Sequence, residues 1–154
     1  MEKRSIPNEL LLPAVAEMLA GGHDVELMTK GSSMLPFIRG DRDSVVLRRS
    51  DPKPGDIALA RIAEGHYVLH RIIAVEGGRV TLMGDGNLVG TESCGVENIA
   101  GTVIDILKPR RDGSLRSVKP TSGRIWKALK PLRRYILYIY RHLLKWTEGA
   151  SKSA

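Results

Sequence analysis

The sequence predicts a mainly β protein: a small antiparallel β-barrel-like domain with a helix before it and a basic amphipathic helix after it. Three observations carry this. From Asp24 to Leu107 the chain is a series of short runs rich in Val and Ile, such as "SVVLR", "IALARI" and "YVLHRIIAV". Gly, Asp and Pro punctuate these runs at nearly every boundary. At 154 residues the chain is the size of one domain with a modest appendage, long enough to bury a core without staples.

The elements follow in order. Asn8 is a suitable N-cap for an amphipathic helix over Glu9–Ala20, with Gly21 and Gly22 ending it. Pro13 falls in its first turns, so the helix is expected to start late or to bend. The strands "VELMT", "SVVLR", "IALARI", "YVLHRIIAV", "RVTLM" and "IAGTVIDIL" come next. Three Gly-Asp pairs, Gly40-Asp41, Gly55-Asp56 and Gly84-Asp85, stand at strand boundaries and read first as turn chemistry. Gly77-Gly78 between two strands predicts a tight hairpin. The resulting division is an N-terminal helix over 1–22, a β domain over 23–108, a linker over 109–123 and a basic helical segment over 124–148. In that last segment Ile125, Leu129, Leu132, Ile136, Ile139, Tyr140 and Leu143 share one side at helical spacing. Lys127, Lys130, Arg134, Arg141 and Lys145 share the other, and Pro131 is expected to bend or divide the helix.

The formal net charge of +7 hides a division. Residues 1–107 carry eleven Lys/Arg and fifteen Asp/Glu, a balance of −4, whereas residues 108–154 carry thirteen against two, a balance of +11. The basic character belongs to the last third, which is where an anionic partner would bind. One cysteine, Cys94, excludes an intrachain disulfide and a Cys-rich zinc site and is compatible with a reducing compartment. Neither a secretory signal nor a run of ~20 apolar residues is present, so no membrane span is expected.

The segment "KGSSMLPFIRGD" over Lys30–Asp41 presents two hydroxyls on a constrained turn. It is a turn and nothing more unless the chain supplies a base for one serine. Of four histidines, His23 ends the first helix, His142 lies in the basic helix, and His66 begins the strand that holds His70. His70 shares a strand face with Val68 and Ile72, while Arg71 points the other way. A histidine so placed is either a structural core residue or a base. A lysine base has no source in the central strands, because none occurs between Lys53 and Lys108.

The blocks "GSSMLPFIRGD", "KPGDIALARI", "YVLHRII" and "LMGDGN" resemble, in this order, those of the signal peptidase superfamily, which includes the self-cleaving LexA-type repressors. A histidine followed by Arg and apolar residues is similar to the eukaryotic, archaeal and sporulation-type signal peptidases; the common bacterial enzymes and LexA-type proteins have lysine there. The likeness spans about Val25 to Val103. It implies a peptidase domain with Ser33 as nucleophile, because Ser33 precedes Met34 and Pro36, and with His70 as general base. Asp85 matches the Gly-Asp of the last block and is a candidate for orienting the imidazole, with a plain turn residue as the other reading. The histidine-type relatives also carry an acid a few residues beyond that block, and the resemblance therefore implies Glu92 as its rival, since Thr91 cannot serve as an acid. The Ser33 N–H is a candidate oxyanion donor; Gly31 stands where some relatives carry a second serine, and Ser32 is the possible substitute.

No cofactor or metal is expected. The implied partner is a polypeptide of leader or signal type, lying extended along a strand edge, with Met34, Leu35 and Phe37 serving as pocket lining or as plain core. The basic segment 124–148 either meets an anionic membrane surface or packs on the β body, and the expected location is cytoplasmic, peripheral to the inner membrane face. A LexA-like self-cleaving or nucleic-acid-associated regulator is the alternative from a second class, although nucleic acid is disfavoured by the absence of room for a helix-turn-helix before residue 24. A catalytically inactive peptide-binding module is the third.

Overall fold

The computed structural model describes residues 8–87, 90–121 and 132–152. Eight strands form one antiparallel sheet between two helices. The helix α1, Asn8–Ala20, runs through Pro13 rather than starting after it, at the cost of the bond that a proline nitrogen cannot donate. Its end is a Schellman turn in which Gly22 N–H donates to Leu19 C=O and His23 N–H to Met18 C=O. Val15 and Leu19 are the buried residues of α1 and anchor it in the main core beside Val25, Val45, Leu47, Ile57 and Leu59. Burial of a leucine such as Leu19, which has no exposed surface, contributes about 1.5–3 kcal/mol.

The strands are β1 (Val25–Met28), β2 (Ser44–Arg48), β3 (Ile57–Ala63), β4 (His66–Glu76), β5 (Arg79–Met83), β6 (Glu92–Gly95), β7 (Ile99–Pro109) and β8 (Leu115–Val118). Their order is β1-β2-β7-β3-β4-β5-β6, with β8 on the far end of β7. The central strand β3 explains its own sequence. Ile57 and Leu59 enter one core cluster while Ala58 and Ala60 enter a second with Ile72, Val80, Leu82 and Cys94. A strand covered on both faces reads as a continuous apolar run. Gly77 and Gly78 both have positive φ and close the β4–β5 hairpin, with Glu76 facing Arg79, as their pairing predicts.

Two expectations are corrected. The sheet is not a closed barrel: its terminal strands β1 and β6 do not pair with each other. The pairing runs out on β4, where His66–Arg71 face β3 but β5 begins only opposite Arg71, leaving the outer edge of residues 66–70 without a ladder among the described residues. The segment 109–123 is not simply a linker. Residues Leu115–Val118 form β8, paired with Ile106–Pro109 of β7 through a turn in which Asp112 Oδ1 accepts from the Ser114 amide and hydroxyl. The "DGS" composition that reads as linker is hairpin chemistry.

The C-terminal helix α2 is Arg133–Lys152; the expected helical residues 124–131, including Pro131, lie outside the described residues. No described helix is long and apolar enough to cross a membrane. One face of α2 docks on the β body: Leu137, 1% exposed, packs with Leu35, and Ile136, Tyr140 and Leu144 flank the contact. Leu132, Ile139 and Leu143, from the apolar side expected in the sequence, remain exposed. The docked stripe is rotated from them by about a quarter turn or more at 3.6 residues per turn.

The loop between β1 and β2 is tied at its neck. Asp43 is fully buried and accepts from the Arg39 amide, the Arg42 guanidinium and Lys108 Nζ, while Lys108 also donates to Phe37 C=O. Burial pushes the Asp43 carboxyl up, but the hydrogen bonds from Arg42, Lys108 and the Arg39 amide outweigh it and hold the group below the ordinary carboxylate range. A depressed folded value means stability that is fully present above the ordinary range and is lost as the pH falls through the folded value. Asp43→Asn is therefore expected to cost about 3 kcal/mol or more at neutral pH and to flatten the acid limb of stability, as read by urea unfolding at pH 7 and pH 3.

Candidate functional site

Ser33 and His70, far apart in sequence, line one pocket of about 200 Å³. Its other walls come from α1 (Leu12), from β1 and the residues after it (Leu27 to Gly31), from the serine turn and Ile38, and from Tyr67 to Leu69 on β4. The pocket therefore opens between the free side of β1 and the part of β4 where the sheet pairing stops.

The serine turn is held from behind. Met34 and Leu35 are buried, whereas Ser33 is half-buried and Ser32 exposed. Met34 C=O accepts from the Phe37 and Ile38 amides, and Ser33 C=O accepts from Gly86 N–H at 2.7 Å. The turn Gly84–Asn87 lies so close that a β-carbon at Gly84 or Gly86 would press into the carbonyls of Ser33 or Ser32. The Ser33 hydroxyl and amide donate no internal hydrogen bond among the described residues. The hydroxyl and the imidazole are not hydrogen-bonded to each other; such bonds commonly tighten only with substrate in place.

His70 is 6% exposed, and its Nδ1 lies 2.9 Å from Glu92 Oε2. With a carboxylate at Nδ1, that nitrogen carries the proton and donates it, leaving the Nε2 lone pair free to accept one. Strand register brings the pair together: Leu82 on β5 faces both Ile72, two residues beyond His70, and Glu92, the first residue of β6.

Asp85 has another partner. Both its oxygens accept from Arg71, Nε to Oδ1 and Nη2 to Oδ2, each at 2.7 Å. This corrects the expectation that Asp85 orients the imidazole: the bond to Nδ1 comes from Glu92, the rival. The pair is buried on both sides, and Arg71 Nη1 donates further to the carbonyls of Gly55 and Thr121. Arg71 stands 5.5 Å above the Phe37 ring. Sequence reasoning put Arg71 on the other face of β4 without giving it a role; the signal available was an arginine beside a buried strand position, which requires an acid. It also missed Leu12 and β1 as pocket walls, for neither carries chemistry.

The remaining residues have plain roles. His23 is exposed. Cys94 is buried in β6, and burial pushes its thiol up, so it is not a poised thiolate. The sequence matches no protein-family model and no curated protein.

Two carboxylates with two duties respond differently to removal. Asp85→Ala strands a buried guanidinium and is expected to cost about 3–5 kcal/mol, whereas Glu92→Ala removes a partly exposed partner and costs about 1 kcal/mol. Urea unfolding of the two variants measures the difference, and equal losses would contradict this division.

Proposed function

We propose that this protein is a serine endopeptidase resembling signal peptidase, acting through Ser33, His70 and Glu92 on leader- or signal-type peptides. The observation that carries this reading is the single pocket shared by the serine and a histidine whose Nδ1 is held by a carboxylate. A turn without function requires no such arrangement.

In this reading His70 Nε2 takes the hydroxyl proton as Ser33 Oγ attacks the substrate carbonyl. The imidazolium so formed is stabilised by Glu92 and returns the proton to the departing amine, which breaks the peptide bond and leaves an acyl-enzyme. Water, deprotonated by the same imidazole, then releases the acid and regenerates the hydroxyl. The Ser33 amide, which donates to no acceptor among the described residues, is the candidate donor to the developing oxyanion. Donors of that kind are worth about 3–4 kcal/mol in the transition state.

Substrate binding follows from the open edge. Among the described residues the outer side of β1 and residues 66–70 of β4 have no ladder partner, and both border the pocket. An extended peptide laid there gains ladder hydrogen bonds, and its alternate side chains meet the apolar walls formed by Leu12, Leu27, Ile38 and Leu69. The resemblance to signal peptidases implies small residues beside the cut. The single cysteine fits a reducing, cytoplasmic setting for this enzyme.

Mass spectrometry of leader-peptide libraries incubated with the protein tests the proposal. Ser33→Ala and His70→Ala are expected to abolish cleavage while keeping the fold, and retained cleavage in either variant refutes the assignment. Glu92→Ala is expected to lower kcat by about 10²–10⁴-fold with KM little changed, because the wrong tautomer and an unstabilised imidazolium affect chemistry rather than binding.

A further inference from the structure

The helix α2 has more apolar surface than its docking on the β body uses. Ile136, Leu137, Tyr140 and Leu144 face the body, yet Leu132, Tyr135, Tyr138, Ile139, Leu143 and Trp146 are exposed, Trp146 by 74%. These six lie within fifteen residues and make up half of the large hydrophobic side chains that are exposed among the described residues. At helical spacing Leu132, Tyr135, Ile139, Leu143 and Trp146 form one continuous stripe, about a third of a turn from the docked face. Arg134 and Lys145 are exposed on the remaining side, with Arg141 between them anchored on Gly86 C=O. The helix is therefore three-sided: docked, apolar and basic.

We infer that α2 is a peripheral membrane-binding element that lays its free apolar stripe into an anionic bilayer surface while its docked stripe holds the β body. Charge chooses the occupant. Arg133, Arg134, Arg141, Lys145 and Lys152 stand against the single acid Glu148 in α2, and Arg124, Lys127 and Lys130 precede it in the chain. A second copy of the same helix would bring like charges together, whereas anionic headgroups attract them at about 1 kcal/mol per basic residue near the surface. Tyr and Trp are also the side chains suited to the headgroup boundary, where an apolar body and a polar tip are both satisfied. Because Leu137 packs on Leu35, two residues beyond Ser33, the attached helix holds the pocket close to the membrane. This inference does not depend on catalysis, since the stripe and its charges exist whether or not Ser33 reacts.

Sedimentation with vesicles tests it, using the full chain and its Ser33→Ala form. Both are expected to bind vesicles of equal parts phosphatidylglycerol and phosphatidylcholine, and to bind pure phosphatidylcholine at least about tenfold more weakly. The triple variant Tyr135→Ser/Ile139→Ser/Trp146→Ser, altered only at exposed positions, is expected to lose binding by about tenfold or more with its urea midpoint unchanged. Arg134→Glu/Lys145→Glu provides an independent arm and is expected to weaken binding to the anionic vesicles. No binding by the wild type, equal binding to both vesicle types, or undiminished binding by the altered proteins overturns the inference. So does a concentration-dependent dimer that the triple substitution abolishes, which would make a second copy the occupant.

Discussion

The buried pair of Arg71 and Asp85 is the constraint on which the site depends. One guanidinium joins β4, the Gly84–Asn87 turn, the Gly55 turn before β3 and the Thr121 carbonyl, and it lies over Phe37 of the serine loop. Two charges removed from water are stabilising only when their polar atoms are hydrogen-bonded, and no buried side-chain nitrogen or oxygen among the described residues lacks a partner. The pair also ties together the segments that carry the two candidate catalytic groups. Arg71 follows His70 directly on β4, and the turn carrying Asp85 contacts Ser33 through the Gly86–Ser33 hydrogen bond. A shift of the Gly84–Asn87 turn away from β4 would have to break a buried ion pair.

A second buried carboxylate, Asp43, does the same at the neck of the serine loop, where Lys108 reaches across from β7. The serine loop is therefore tied at its neck and from behind while Ser33 at its crest is left half-buried. That combination, rigid support under an accessible hydroxyl, is what preorganised chemistry requires. The open sheet order has a further consequence: strand edges beside the pocket lack a ladder partner among the described residues, which a fully closed barrel would not allow.

The C-terminal helix shows how misleading a single amphipathic reading can be. Its sequence has enough apolar residues for two stripes, and helical periodicity merges neighbouring stripes into one broad face. Leu137, the most buried residue of α2, was not on the face that the spacing singled out, because the partner surface around Leu35 chooses which stripe docks.

Much of the architecture was legible locally. Gly77-Gly78 specifies a hairpin, Gly21-Gly22 a helix end, and the Val/Ile runs specify strands, since each depends on the preferences of a few adjacent residues. The candidate roles of Ser33, His70, Asp85 and Glu92 came from the resemblance of their blocks to signal peptidases rather than from residue type and spacing alone. Tertiary structure decided the remainder: which acid meets His70, that Asp85 serves Arg71, that the sheet stays open, and that Leu115–Val118 form a strand. Each of these rests on a contact between segments well separated along the chain. Such contacts are set by strand register and by the requirement that buried charges be paired, and only the folded molecule satisfies both at once.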